Sequence, residues 1–188
     1  MRKLMAIDYS TECSGYAFYD IENKKLLNFG VVESRKGKGK NKLEKTLGRL
    51  NNMADDLVAL LDTEVEAIVI EEINVGRSRK GQKTLCGGHF ILMVKMGEWI
   101  RKIHYIDSDG RDGWRTRLGI KLTAQERIHN KELKKLNKTL KTKLPDRSII
   151  TRKHACIAYV NRTFGLSLVE SENDAADAIG IGWGYLHE

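Results

Sequence analysis

The sequence predicts an α/β domain built on a mixed five-stranded sheet flanked by helices. Three observations carry this. Three short apolar runs stand close together in the first 32 residues. Two further apolar runs follow, with stretches of helical periodicity between and after them. Strands in a meander, followed by strands alternating with helices, give a mixed sheet covered on its faces.

The elements follow in order. The runs Leu4–Ile7, Tyr16–Tyr19 and Leu26–Val32 are divided by the turn-like segments Ser10–Gly15 and Asp20–Lys25, which predicts an antiparallel meander. A basic, glycine-containing stretch runs from Arg35 to Lys40. Leu43, Leu47, Leu50, Ala54, Leu57 and Leu61 then recur at alternating steps of four and three, one face of a helix. Val65–Ile70 is short, apolar and β-branched, as a buried parallel strand should be, and it ends in Glu71 and Glu72. A second basic loop spans Arg77–Lys83. Leu85, His89, Leu92, Met96 and Ile100 mark another helix, and Ile103–Ile106 the fifth strand. Asp107–Gly113 is a loop. Thr123 and Glu126 have capping-box spacing and open a lysine-rich helix striped by Leu133, Leu136, Leu140 and Leu144. A further helix covers Thr151 to Phe164, with Gly165 as its stop. The last begins near Ser171. With 188 residues and no internal repeat, residues 1–188 read as one domain.

Composition narrows the class. Thirty-three basic against 25 acidic residues leave a net charge of +8 and a pI near 9.4. Such a surface attracts polyanions, of which nucleic acid is the commonest. No apolar run approaches the ~20 residues of a membrane span. Met1–Asp8 is charged too early for a signal peptide. Cys13, Cys86 and Cys156 are odd in number, far apart and without a CxxC pair, which argues against a disulfide framework and a structural zinc site. A cytoplasmic location is expected.

The chemistry lies in the acids. Asp8 and Glu71 each follow an apolar strand directly, where open α/β sheets place ligands. A desolvated carboxylate there is costly unless it meets a cation. Asp174 and Asp177 stand three apart on a helix and share a face. Ala175, Ala176 and Ala178 let that helix approach a sheet closely. Four converging carboxylates repel one another and call for bound cations. Oxygen-only ligands favour Mg²⁺, with Mn²⁺ able to substitute. Two such ions per site form the usual clamp for phosphodiester hydrolysis. Each acid also has a plainer reading. Asp8 could open a turn with Ser10, Glu72 could serve in place of Glu71, and Ser171–Asp174 could be a helix start.

These residues resemble a known family. Ala6-Ile7-Asp8 with Ser14-Gly15-Tyr16-Ala17 is similar to the opening of RuvC-type Holliday junction resolvases. Val69-Ile70-Glu71-Glu72 looks like their second motif, and Asn173-Asp174-Ala175-Ala176-Asp177-Ala178-Ile179 like their last. The motifs occur in order and span nearly the whole chain. The resemblance implies an RNase H-like fold and metal-binding catalytic acids at Asp8, Glu71, Asp174 and Asp177. It also implies a homodimer that nicks a four-way DNA junction symmetrically, one strand per subunit, leaving 5′-phosphate and 3′-hydroxyl ends. Two features depart from the bacterial pattern. Lys131–Lys143 is longer and more basic. Trp114-Arg115 with Leu118-Gly119 resembles an element of phage and other divergent members, whose selectivity for structure and sequence is looser.

Three basic clusters are candidate phosphate grips: Arg35–Lys45, Arg77–Lys83 and Lys131–Arg147. The DNA-binding candidates are Lys36, Lys38, Lys40, Arg77, Arg79, Lys80, Lys83 and Arg115. Any one charge run can equally be a solvated face. His89 sits on an apolar stripe and reads as core or interface, and His154 as helix surface. Tyr9 and Tyr16 read as packing. Rival functions are an RNase H-like nuclease acting on RNA, similar to the YqgF group, a sugar-kinase or actin-type ATPase, and a non-catalytic DNA-binding relative. The ATPase reading needs two such domains and gives the Asp174–Asp177 helix no role.

Overall fold

The computed structural model describes residues 1–73, 79–140 and 149–187. Five strands form one sheet: β1 (Lys3–Asp8), β2 (Cys13–Asp20), β3 (Lys25–Glu33), β4 (Val65–Glu71) and β5 (Ile103–Ile106). Their spatial order is β3-β2-β1-β4-β5. β1–β2 and β2–β3 are antiparallel, whereas β1–β4 and β4–β5 are parallel. This is the expected mixed sheet, with β1 at its centre.

Side chains alternate between faces along a strand, and the core divides accordingly. Leu4, Ala6, Ala17, Tyr19 and Val69 join one apolar cluster with α5 (Arg152–Phe164) and α6 (Asn173–Leu186). Met5, Ile7, Phe18, Ile68 and Ile70 join another with α1 (Lys42–Val58) and α2 (Arg79–Met96). Helices thus cover both faces, as a largely buried central sheet requires.

Local chemistry explains the helix starts. Asn41 caps α1, accepting from the Glu44 backbone N–H at 3.0 Å. Thr123 and Glu126 form the expected reciprocal pair ahead of α4 (Ala124–Leu140). Thr151 and His154 do the same for α5, so His154 is a capping residue rather than plain helix surface. Gly165 ends α5 in the left-handed conformation, at φ 67°.

Several elements differ from expectation. β2 starts at Cys13, because Ser14 and Gly15 pair with β1 and β3 instead of turning. α2 starts at Arg79, inside the expected loop, since long straight-chain residues favour helix. It gives way to a 3-10 segment, Gly97–Lys102, which leaves Ile100 exposed. Leu43 and Leu47 are exposed, so only the part of α1 from Leu50 onward meets the sheet. Of the stripe on α4, Leu133 is half-buried, while the Leu140 side chain and Leu144 lie outside the described residues. Leu136 is exposed, and the helix is tied down at Asn130, whose amide bonds both N–H and C=O of Ile150. A short helix, α3 (Trp114–Arg117), was not expected.

Candidate active site

β1 and β4 run parallel, so their carboxyl ends emerge at the same edge of the sheet. Ile7 pairs with Ile70, which sets Asp8 and Glu71 side by side one position on. Parity fixes their direction. Asp8 follows Leu4 and Ala6, and Glu71 follows Ala67 and Val69, on the face covered by α6. Glu72 has the opposite parity. Its side chain is exposed, while its backbone N–H continues the sheet by donating to Ile106 O at 2.9 Å. Of the two neighbouring glutamates, Glu71 is the one directed toward α6.

α6 brings the other acids. Asp8 pairs across the sheet with Gly15. A Cβ on Gly15 would stand 1.8 Å from Asp174 O. Glycine is therefore what lets the first turn of α6 lie on β2 beside Asp8. Asp177, one turn on, is buried, with 7% of its side chain exposed. Its Oδ1 is shut off from solvent and has no hydrogen-bond partner. Asp174 is half-buried and lies 3.8 Å from Lys153 Nζ.

The four acids feel one another. Burial drives the Asp8 carboxyl well above its ordinary pKa, and the charges of Asp177, Glu71 and Asp174 push it further. Burial also raises Glu71, against the opposing pull of Arg115 and a hydrogen bond from Trp114. The Cys13 thiol, beside Asp174, is pushed up to about 11, chiefly by burial.

α3 supplies two residues to this corner. Trp114 is fully buried, seated where a Cβ on Gly180 or Gly184 would collide with it. Its indole Nε1–H donates to Glu71 Oε2 at 2.9 Å. Arg115 stacks on the Trp114 ring at 4.2 Å, and its Nη2 lies 3.2 Å from Asp177 Oδ2 and 3.7 Å from Glu71 Oε2. Burial opposes the Arg115 charge, but Asp177 and Glu71 outweigh it and hold its pKa above the usual value. Among the described residues, no three His, Cys, Asp or Glu side chains are drawn in closely enough to hold a metal ion as they stand. Arg115 is inserted between two of the acids. The donor set nevertheless suits a hard cation: carboxylates only, one with an orphaned buried oxygen.

The structure brings Asp8, Glu71, Asp174, Asp177 and Arg115 together. Of these, Arg115 was expected to bind DNA rather than to sit among acids. Its one sequence signal is the Trp-Arg pair. Lys36, Lys38 and Lys40 are exposed ahead of α1, and Lys83 is exposed on α2. Arg79 and Lys80 begin α2, and Arg77 lies outside the described residues. Of the Lys131–Arg147 cluster, the part on α4 flanks a groove of about 550 Å³ with Arg127, Lys131, Lys134, Lys135 and Lys138. The remainder lies outside the described residues. His89 is buried against Tyr9, with ring centroids 4.7 Å apart, on the other face of the sheet. Burial there lowers its pKa to about 4.

A family model described as "DUF3882: Lactococcus phage M3 protein" matches residues 1–142. The chain belongs to this phage protein family. The match contains Asp8, Glu71 and Arg115 and stops before α6. No curated protein matches the sequence. Solved structures do. Thermus thermophilus RuvC in complex with a Holliday junction substrate is 13% identical with a TM-score of 0.63, covering 100% of this chain and 94% of that one. A second Thermus thermophilus RuvC structure is 15% identical with a TM-score of 0.62, over 98% and 93%. The yeast mitochondrial Holliday junction resolvase Ydc2 is 15% identical with a TM-score of 0.54, over 99% and 78%. The M3-family chain thus has the RuvC-type, RNase H-like fold, and a phage family agrees with the divergent branch its motifs suggested. Among the described residues, no helix is long and apolar enough to cross a membrane.

Proposed function

We propose that this M3-family protein is a Mg²⁺-dependent, structure-selective endodeoxyribonuclease that resolves Holliday junctions and other branched DNA. Residues 1–188 form its one nuclease domain, and it works as a homodimer in the cytoplasm of the phage-infected host. The observation that carries the proposal is the corner where β1, β4 and α6 meet. It sets Asp8, Glu71, Asp174 and Asp177 on one side of an RNase H-like sheet.

These four carboxylates are the catalytic and metal-holding residues, with two Mg²⁺ per site or Mn²⁺ in their place. When bound, the ions supply an activated water and neutralise charge at the leaving 3′ oxygen. The chain's own residues set the stage. Trp114 holds the Glu71 carboxylate in one orientation. The closely packed α6 excludes bulk water behind Asp177. Lys36, Lys38, Lys40, Lys83 and the lysines of α4 bind the flanking backbone, joined by Arg77, Arg79 and Lys80. Phosphate contacts of this kind position nucleic acid without reading its sequence. On α2, Phe90 is 66% and Val94 79% exposed one turn apart, an apolar face suited to a second copy.

A labelled four-way junction tests the proposal beside matched duplex, flap and single-stranded RNA. Each is incubated in Mg²⁺ and in EDTA with wild type and Asp174→Asn. Paired Mg²⁺-dependent nicks in opposite strands, lost in the variant, are expected. Cleavage of RNA alone moves the protein to the YqgF-like reading. Tight junction binding without cleavage in Mg²⁺ or Mn²⁺ leaves a non-catalytic relative.

A further inference from the structure

Arg115 stands between two unlike environments. On one side are Glu71 and Asp177, at 3.7 and 3.2 Å. On the other is a cavity of about 370 Å³ that it lines with Lys121, Arg127 and Arg152, the last paired to Asp109. The Arg115 side chain is only 14% exposed. Its Nε is buried without a hydrogen-bond partner, and so is Asp177 Oδ1. A buried charge pair that leaves donor and acceptor unmet on each partner is an incompletely satisfied contact. Both groups can gain from new partners: the carboxylate from a hard cation, the guanidinium from the bidentate oxygens of a phosphate.

We infer that Arg115 is a resident counter-cation and latch. In the DNA-free protein its guanidinium occupies Glu71 and Asp177 in place of a divalent ion. A backbone phosphate entering the adjacent basic cavity draws it away and releases the two carboxylates. The inference rests on the acidic corner being a metal site, as proposed above. Occupancy by Arg115 and by metal are mutually exclusive at these oxygens, so nucleic acid and metal bind with positive coupling. The arrangement keeps the free protein poorly loaded with metal and loads it on a strand already in place.

The test is Mn²⁺ binding to the full-length, DNA-free protein, measured by electron paramagnetic resonance and by calorimetry. Wild type is compared with R115Q, R115M, R115K and D177N. R115M keeps the stem over the Trp114 ring and stands in if R115Q does not fold. Removing a unit charge about 4 Å from the ligand oxygens should tighten Mn²⁺ binding by about tenfold or more in the neutral variants. R115K, which keeps the charge, should stay close to wild type. D177N should bind weakly. Equal, measurable Mn²⁺ affinity in wild type and the neutral variants overturns the latch and leaves the metal site standing. Equal tightening in R115K and the neutral variants overturns it too, since shape and not charge would then be responsible. Failure of every protein, neutral variants included, to bind Mn²⁺ removes the metal site and the latch together.

Discussion

The two faces of the sheet are built on different terms. Under α1 and α2 the contacts are ordinary large apolar side chains: Met5, Ile7, Met53, Leu57, Ile68, Ile70, Leu92 and Met96. Under α6, large side chains such as Leu4, Tyr19 and Trp114 are interleaved with alanines and glycines that bring helix backbone onto β2 and around Trp114. The first face stabilises the fold by burying volume. The second adds close backbone approach, and beside it lie Asp8, Glu71, Asp174, Asp177 and the buried Arg115. Stability and chemistry are therefore separable by face, and substitutions can test the separation.

The largest effect is expected on the α6 face. Asp177→Asn should lower Mg²⁺-dependent junction cleavage by about 10³-fold or more, the several kcal/mol of charge stabilisation a metal supplies, while the chain still melts cooperatively. Cleavage within tenfold of wild type would dissolve the distinction. Next comes Leu92→Ala on the opposite face. It should cost roughly 2–5 kcal/mol in urea unfolding, with the turnover of the still-folded fraction unchanged. A fall in turnover matching the fall in stability would show that the faces are coupled. Gly15→Ala should do some of both. Its Cβ meets the Asp174 carbonyl, so the start of α6 must shift, at about 1–3 kcal/mol, and cleavage should fall more than stability explains.

The smallest effects are in pH, and their signs are opposite on the two faces. Asp8 and Glu71 have raised pKa values in the fold. As pH climbs past the ordinary carboxylate range, the unfolded chain ionises first, so the metal-free protein loses the stability these groups gave when protonated. Melts in EDTA should find Asp8→Asn more stable than wild type at pH 8, by on the order of 1 kcal/mol, with the gap closing toward pH 4. His89 is depressed to about 4. Its contribution is complete above 6.5 and is lost as pH falls from there toward 4, because the unfolded chain takes the proton first. His89→Phe should flatten that acid-side decline, again by on the order of 1 kcal/mol. A decline that persists unchanged in the variant would remove His89 as its source.

Much of this was legible in the sequence, for reasons that separate local from distant causes. Apolar runs that end in Asp8 and Glu71 announce central strands with acids at their tips, because strand burial and strand ends are local properties. The spacing of Asp174 and Asp177 likewise states a shared helix face. Which of Glu71 and Glu72 faces α6 follows from the parity of β4, which the sequence alone does not fix. Other features depend on what stands opposite, and a linear pattern does not say. Leu43, Leu47 and Leu136 have core periodicity but nothing to pack on among the described residues. Arg115 reads as a DNA contact in the sequence, and a lone arginine after a tryptophan carries no hint of the two acids 44 and 62 positions away that it also meets. The start of α2 at Arg79 was hidden by a basic composition that loops and helices share.

The order of β1 and β4 in the sheet has a consequence in time. The corner draws on residues 8, 71, 115, 174 and 177, so its contacts span almost the whole of the chain. Contacts this distant slow folding, because long loops must close before they form. A chain synthesised only as far as residue 172 carries Asp8 and Glu71 but neither Asp174 nor Asp177. For the proposed nuclease this means that cleavage should wait on the docking of α6 against β1 and β2, and a chain lacking residues 173–186 should bind no metal at this corner.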